Sequence, residues 1–373
     1  MKFACEKIHL LNAIATSSRA AAAKSPVPML EGLLIEANQE LVKITGYDLK
    51  TGIVTTLSAN IEESGSIVLN ARLLGEIIRK MPGYEVEITV NSNYTASITS
   101  EMSEFDIPGS PSSDYPELPA VEMQNSITID EATLKKMISQ TNFAVSDNES
   151  RPIHMGALFE VENSQLTIVA VDGFRLALRR EPIKSQKNEQ YSYVVPGTAL
   201  NEVERITSDS ENDVTITLGL KHVMFTIGDT ILISRRLEGE FLNYRNSIPQ
   251  SGKYKLLLEK AELIEAVSRV ALIINEKLRT PIRCVFKNDG FLELFSASSL
   301  GRASDKCSFE GEVEELEIGF NDKYLLEALK AAPSDEVLIN LNSGVTPCVI
   351  HPADDSDNFL YMILPVRLKA YED

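Results

Sequence analysis

Four histidines (His9, His154, His222, His351) and four cysteines (Cys5, Cys284, Cys307, Cys348) are the residues best suited to nucleophilic, acid–base or metal chemistry, and their spacing builds none of it. The cysteines lie far apart with no Cys-x-x-Cys pair, which argues against a zinc ribbon or a disulfide framework and for thiols in a reducing compartment. The histidines are isolated; His9 reads as helical and His222 as part of a turn. His-Glu-x-x-His and Gly-x-Ser-x-Gly are both absent. No Gly-x-Gly and no Gly-x-x-x-x-Gly-Lys occurs, which removes the usual dinucleotide and phosphate cradles. Asp354-Asp355-Ser356-Asp357 lacks the central Gly and closing Glu of a calcium loop and reads as a solvated turn. The sequence therefore predicts no enzyme, no metal and no cofactor.

Binding chemistry is better represented. Three segments mix apolar and polar residues in a way that packing alone does not demand: Val171-Asp172-Gly173-Phe174-Arg175-Leu176, Gly239-Glu240-Phe241-Leu242-Asn243-Tyr244-Arg245, and Met362-Ile363-Leu364-Pro365-Val366-Arg367-Leu368. Pro365 argues against an interior strand at that point. Taken by themselves, the three read equally well as an ordinary turn, a loop and a terminal edge strand.

The elements that position them repeat with a period near 125. Phe3–Ile14, Ile127–Ile138 and Leu256–Val267 each read as a short strand running into a helix, with Glu6, Asp130 or Glu259 at the helix start, where an acid favours the free N–H groups and the dipole. The pairs Leu10/Ile14, Leu134/Ile138 and Leu263/Val267 sit at i, i+4 and face a core. Next come matching strands at Leu41–Thr45, Leu166–Ala170 and Leu292–Ser296, with turns at Gly46, Asp172-Gly173 and Ser298-Ser299. Second helices are predicted over 71–80, 198–206 and 322–331. They precede the clearest alternation in the chain: Val86/Ile88/Val90, Val214/Ile216/Leu218 and Val337/Ile339/Leu341, strands with one dry and one wet face. Pro116, Pro119, Pro249 and Gly252 punctuate the joints. The fold class is α+β: three repeated domains over 1–120, 126–249 and 253–373, each with two helices and antiparallel sheets.

With 373 residues, the chain is too long for one core. Its formal charge of −18 argues on its face against wrapping in nucleic acid. That charge is unevenly spread: the six predicted helices (7–20, 71–80, 131–143, 198–206, 260–274, 322–331) sum to +4, leaving −22 elsewhere. Charge interrupts the N-terminus before an apolar stretch forms, and no apolar run is long enough to cross a bilayer, so a cytoplasmic, soluble protein is expected.

The chain resembles the bacterial sliding clamp family, the beta subunit of DNA polymerase III, along its whole length. The resemblance rests on Met1-Lys2-Phe3, Pro28-Met29-Leu30-x-Gly32-Leu33-Leu34, Asp172-Gly173-Phe174-Arg175-Leu176, Tyr244-Arg245, Asn275-Glu276-Lys277 and, most specifically, Leu364-Pro365-Val366-Arg367-Leu368. It implies the DNA clamp fold: two three-domain subunits closing head to tail into a homodimeric ring, helices lining the hole and sheets on the rim. A mildly basic inner wall tolerates phosphates without the many ion pairs that would fix the ring in place. An acidic exterior repels DNA from every other surface.

The resemblance also implies site residues. A cleft for partner peptides would be built from Val171, Gly173, Phe174, Arg175, Leu176, Leu242, Val345, Met362, Leu364, Pro365, Val366, Arg367 and Leu368, with Phe174 where the family often has His and Leu242 where Pro is frequent. Lys24, Arg72, Arg79, Lys80 and Asn148 match DNA-facing positions, while Phe105, Ile107, Leu272 and Ile273 match the subunit interface. The implied partners are duplex DNA without sequence preference, a second copy of the chain, the replicative polymerase alpha subunit, the clamp loader and other proteins carrying a clamp-binding motif; no membrane is implied. The competing reading is a repeat-built scaffold that binds peptides without encircling nucleic acid.

Overall fold

The structure, a computed structural model, describes residues 1–184, 190–274, 280–354, 356 and 358–368. Asn275-Glu276-Lys277, Asp355, Asp357 and the tail Lys369–Asp373 lie outside the described residues. Helices α1 (Lys7–Ser17), α2 (Ala71–Lys80), α3 (Glu131–Ser139), α4 (Gly197–Ile206), α5 (Lys260–Ala271) and α6 (Asp322–Ala331) stand where the repeat predicts. The first helix of each repeat stops short of its predicted end. In the first two repeats the remainder forms tighter 3-10 turns, Ser18–Ala20 and Asn142–Ala144.

Helix capping differs from expectation. Glu6 and Glu259 occupy the N-cap positions of α1 and α5, but neither side chain accepts a capping hydrogen bond. In the middle repeat the nearby Glu131 turns its carboxylate to the Ser208 N–H and the Ser210 hydroxyl, both at 2.6 Å. The side-chain caps belong to the second helices: Asn70 Oδ1 accepts from Leu73 N–H at 2.9 Å and Asn321 Oδ1 from Tyr324 N–H at 3.1 Å. Asparagine suits this position because its short side chain reaches the N3 amide; each cap contributes about 1 kcal/mol.

The chain divides into two compact units, Met1–Lys135 with Thr198–Arg236, and Lys136–Gly197 with Leu237–Asp373. In the first unit a five-stranded sheet runs in the order Asn60–Glu63, Lys2–Glu6, Glu85–Val90, Thr95–Ser100, Ser103–Pro108. An eight-stranded sheet beside it runs Asn125–Asp130, Asp213–Leu218, His222–Ile227, Thr230–Arg235, Thr51–Ser58, Leu41–Tyr47, Gly32–Asn38, Gly65–Asn70. The second unit holds an eight-stranded sheet, Tyr191–Pro196, Gly156–Glu162, Gln165–Val171, Arg175–Pro182, Phe359–Ile363, Cys348–Pro352, Glu336–Leu341, Tyr254–Glu259, and a four-stranded one, Gly301–Ser308, Phe291–Ser298, Ile282–Phe286, Leu316–Phe320. Each large sheet crosses a repeat boundary. Thr230–Arg235 of the middle repeat pairs with Thr51–Ser58 of the first, and Arg175–Pro182 of the middle repeat pairs with Phe359–Ile363 of the third.

The period-two pattern gives the dry faces as expected, since Val86/Ile88, Val214/Ile216 and Val337/Ile339 are all buried. Leu10, Ile14, Leu74 and Ile78 of α1 and α2 close over Leu33, Ile35, Ile44 and Ile88 in one core. Each such side chain contributes about 1.5–3 kcal/mol on burial. In the second unit α5 and α6 pack together and bury Leu263, Val267, Leu325 and Leu329.

Three local expectations are corrected. Leu41 is 51 % exposed, while Val42 and Ile44 are buried; the strands therefore match as Val42, Leu166 and Leu292, one residue off the Leu41 alignment. Gly46 is no turn. It lies within the strand Leu41–Tyr47, where a Cβ would fall 2.0 Å from the Ser17 carbonyl oxygen, so its role is to admit the end of α1. His222 opens the strand His222–Ile227, opposite Arg235, rather than sitting in a turn.

Candidate partner-binding site

The strand Gln165–Val171 breaks at Asp172, and the chain reverses within three residues. Asp172 Oδ1 accepts the N–H groups of Phe174 (2.8 Å) and Arg175 (3.0 Å), and Gly173 takes φ +94°, a left-handed value that suits glycine. The returning strand Arg175–Pro182 lies beside Phe359–Ile363, with Arg175 opposite Ile363 and Leu176 opposite Met362. Phe359–Ile363 is thus an interior strand, not the terminal edge strand considered for it. It ends before Pro365, so proline's missing donor disturbs no ladder. Beyond it the chain is held by the Leu364 N–H to the Phe174 carbonyl and the Val366 N–H to the Gly319 carbonyl, both at 2.8 Å. A Cβ on Gly319 would stand 2.5 Å from the Val366 oxygen, so only glycine admits this approach.

Beneath the turn lies an apolar cluster that includes Val171, Leu176, Leu178, Tyr244, Leu360 and Met362, with Ile153, Phe241 and Leu364 half-buried against it. Phe174 (55 % exposed) and Leu242 stand out from the surface, and Val345, 79 % exposed, occupies the loop between the strands Glu336–Leu341 and Cys348–Pro352. The expected cleft residues therefore sort by depth. Val171, Leu176 and Met362 form a floor; Leu364, Pro365, Val366 and Leu368 are half-buried; Gly173, Phe174, Leu242, Val345 and Arg367 are exposed.

Arg175 stands apart from the rest. Its side chain is 7 % exposed. Nε donates to Asp172 Oδ2 at 2.9 Å, Nη1 to Glu327 Oε2, and Nη2 to the Phe143 carbonyl at 2.5 Å. The Tyr324 ring lies 4.4 Å from the guanidinium carbon and also stacks with Phe174 at 6.3 Å between centroids. With each of its three guanidinium nitrogens donating to the protein and its charge paired with Asp172 and Glu327, Arg175 fixes the turn to α6 instead of presenting a free charge.

Several participants escape sequence reasoning: Phe143, Tyr324 and Glu327 around Arg175, Gly319 under the C-terminal segment, and His154, whose ring meets Phe241 edge-on at 5.5 Å. Burial, reinforced by Arg151, holds the His154 imidazole below its ordinary pKa. Tyr244, within the mixed segment Gly239–Arg245, donates its hydroxyl to Glu160 Oε2 at 2.5 Å, a bond its sequence neighbours do not announce; burial and that carboxylate push its hydroxyl pKa up. A separate polar cavity of about 430 Å³ is lined by Glu160, Glu162, Asn163, Gln165, Thr167, Arg180 and Arg245. Arg245 is already paired with Glu160 at 3.0 Å, and the lining is too polar to anchor an apolar side chain.

The other expected positions are dispersed. Lys24 is exposed between the 3-10 turns Ser18–Ala20 and Pro28–Glu31; Arg72, Arg79 and Lys80 are exposed on α2, Arg72 pairing with Glu76 at 3.2 Å. Asn148 is exposed and accepts the Ser150 N–H at 2.9 Å. Leu272 is exposed and Ile273 half-buried after α5. Phe105 is 43 % exposed on the strand Ser103–Pro108, whereas Ile107 of the same strand turns into the core. Among the described residues no cluster of His, Cys, Asp or Glu is arranged for a metal, and no helix is long and apolar enough to cross a membrane.

Comparison with known proteins matches models of the N-terminal, central and C-terminal domains of the DNA polymerase III beta subunit to residues 1–119, 128–243 and 245–367. The chain belongs to the bacterial beta sliding clamp family. It is 32 % identical to the beta sliding clamps of Bacillus subtilis and Staphylococcus aureus, covering 98 % of this chain and 99–100 % of each relative. Its fold superimposes on the crystal structure of the Bacillus subtilis clamp with a TM-score of 0.94 at 32 % identity, and on that of a Pseudomonas aeruginosa clamp bound to griselimycin with 0.94 at 27 %, covering 99 % of this chain and 100 % of each. Three clamp domains of mixed α and antiparallel β structure are therefore present, in a family of non-catalytic DNA sliding clamps.

Proposed function

We propose that two copies of this chain close head to tail into a ring around duplex DNA, in the cytoplasm, and tether a replicative polymerase, a clamp loader and other peptide-bearing partners. The observation that carries the ring is the reuse of one junction. The last strand of the middle repeat, Thr230–Arg235, pairs with Thr51–Ser58 of the first; the last strand of the third, Phe359–Ile363, pairs with Arg175–Pro182 of the middle. The same two kinds of strand remain at Ser103–Pro108 and Gly301–Ser308, each at the end of its sheet with one neighbour among the described residues. A second copy supplies the missing partner at both ends, which closes a heterologous interface into a ring of six repeats. The domains proposed for this arrangement are 1–120, 126–249 and 253–373.

Lys24, Arg72, Arg79, Lys80 and Asn148 then serve as the DNA-facing groups. They are few and exposed, which suits sliding contact better than fixed ion pairing. The partner peptide docks over Val171, Leu176 and Met362, its large apolar side chains meeting Phe174, Leu242, Val345 and the segment Leu364–Leu368, with Gly173 giving room at the turn. Leu272 and Ile273 flank the interface beside Phe105. Loading on DNA circles tests the whole reading: the protein stays on closed circles and is lost when they are linearised. Equal loss from both forms would replace the ring with a non-encircling scaffold.

A further inference from the structure

We infer that the first unit carries a second docking surface, on the turn at 47–52 and the strand end at 233–236, and that it takes an acidic segment of a partner protein. What such a turn does is taken from the docking reading of the second unit; ring closure does not enter.

The turn that builds the peptide site occurs twice in the chain. Asp48 Oδ1 accepts the N–H groups of Lys50 (2.8 Å) and Thr51 (2.6 Å), as Asp172 Oδ1 accepts those of Phe174 and Arg175. Thr51 then stands opposite Ser234 as Arg175 stands opposite Ile363. The Arg235 N–H bonds to the Lys50 carbonyl at 3.1 Å, as the Leu364 N–H bonds to that of Phe174. Lys50 therefore holds the place of Phe174, Arg235 that of Leu364 and Arg236 that of Pro365, so three apolar cleft residues become basic. In the place of Gly173 is Leu49, 54 % exposed at φ +73°, a left-handed value that leucine rarely adopts. Backbone strain kept beneath an exposed apolar side chain, where the sister turn uses glycine, marks a side chain held out for contact.

The surroundings suit an extended acidic chain. His222 lies opposite Arg235, so Lys50, Arg235 and His222 form a row across three neighbouring segments. The Arg236 N–H meets the Lys221 carbonyl at 2.9 Å, which adds two more basic residues beside that row. Lys50, Lys221 and Arg235 are exposed; Arg236 is half-buried, and its Nε has no hydrogen-bond partner. Burial, then Arg235 and Lys221, hold the His222 imidazole below its ordinary pKa, as a positive local field does. Asp48, the acid of the turn, has its Oδ1 on two backbone amides. In a chain of net charge −18, such a cluster steers an acidic partner to this strand end. The apolar part is shallow. A Cβ on Gly52 would stand 2.2 Å from Leu118 Cδ2 and 3.3 Å from Tyr47 Cδ2, so half-buried Leu118 lies where Leu176 forms the floor in the second unit. Leu49, Tyr47 and Leu118 add an apolar strip to the basic row. A partner segment that alternates acidic and apolar residues covers both, whereas the phosphates of DNA would engage only the charges.

Fluorescence anisotropy of a labelled peptide of alternating leucine and glutamate tests this on the full-length chain, with unlabelled clamp-binding peptide in excess to fill the cleft. Lys50→Glu/Arg236→Glu weakens binding about tenfold at low salt and less at high salt. Leu49→Gly weakens it about fivefold without lowering the melting temperature, because glycine accepts the left-handed backbone. In a separate titration both variants bind the clamp-binding peptide as the unmodified chain does, which shows that their second unit is intact. An unmodified chain that does not bind the alternating peptide, or either variant binding it undiminished, overturns the second surface. A tenfold loss of affinity for a short linear DNA duplex, with peptide binding unchanged, would make the patch a phosphate contact and overturn the protein partner. A clamp-binding peptide that fails to bind the unmodified chain overturns the docking reading of the second unit instead.

Discussion

Replacing Arg175 by alanine separates a residue that touches the partner peptide from one that shapes the place where it binds. The truncation leaves the Asp172 and Glu327 carboxylates and the Phe143 carbonyl without their donor and removes the cation held over Tyr324. Breaking a buried charge pair by removing one partner costs about 3–5 kcal/mol, but Glu327 is partly open to water, which brings the expectation to about 3 kcal/mol. Thermal unfolding should register this as a lowered transition in the second unit, and hydrogen exchange should show faster opening of residues 172–175. Affinity for a clamp-binding peptide should fall as well. Glu327→Ala, a change on α6, should reproduce both losses, and the double variant should cost little more than either alone. An Arg175→Ala protein that melts normally while losing peptide affinity, with Glu327→Ala binding normally, would mean that Arg175 contacts the peptide directly and that the positioning argument is wrong.

Three further outcomes are expected. Gly319→Val should displace the segment Val366–Leu368, because its Cβ meets a backbone oxygen; peptide affinity should drop with little change in melting temperature, and unaltered affinity would contradict the docking site. Ending the chain after Leu364 spares the interior strand Phe359–Ile363 and should leave a folded dimer that binds peptide weakly, as gel filtration and titration calorimetry would register. For pH, the folded protein disfavours protonated His154 while the unfolded chain takes up the proton near 6.5, so stability is intact above that value and falls as pH drops below it; His154→Phe should flatten this slope in melts between pH 7 and pH 5.5.

What sequence pattern conveys here is local periodicity, and what it lacks is distance. The alternation at Val86, Val214 and Val337 announces strands because only one face of each is dry. At Leu41-Val42 two adjacent apolar residues compete for the same inward place, and side-chain type alone does not decide the pleat; the hairpin pairing does. Gly46 reads in sequence as a turn, and what places it inside a strand instead is the approach of Ser17, 29 positions earlier. The site shows the same division. Asp172-Gly173 and the apolar residues around Pro365 carry short-range signals of a turn and of a strand's end. The bond from Arg175 to Glu327 spans 152 residues, and neither residue's neighbours give any sign of it.

The sheets that run through the repeat boundaries have a mechanical consequence. A module excised at 128 and 243 would carry two raw sheet margins, one torn from Thr51–Ser58 and the other from Phe359–Ile363. The unit of inheritance and the unit of packing are therefore different lengths of chain: three homologous segments, but two compact blocks, each drawing strands from the middle segment. Exchange of the middle segment between relatives must preserve both margins, and damage to its strands is felt in the first and third segments alike.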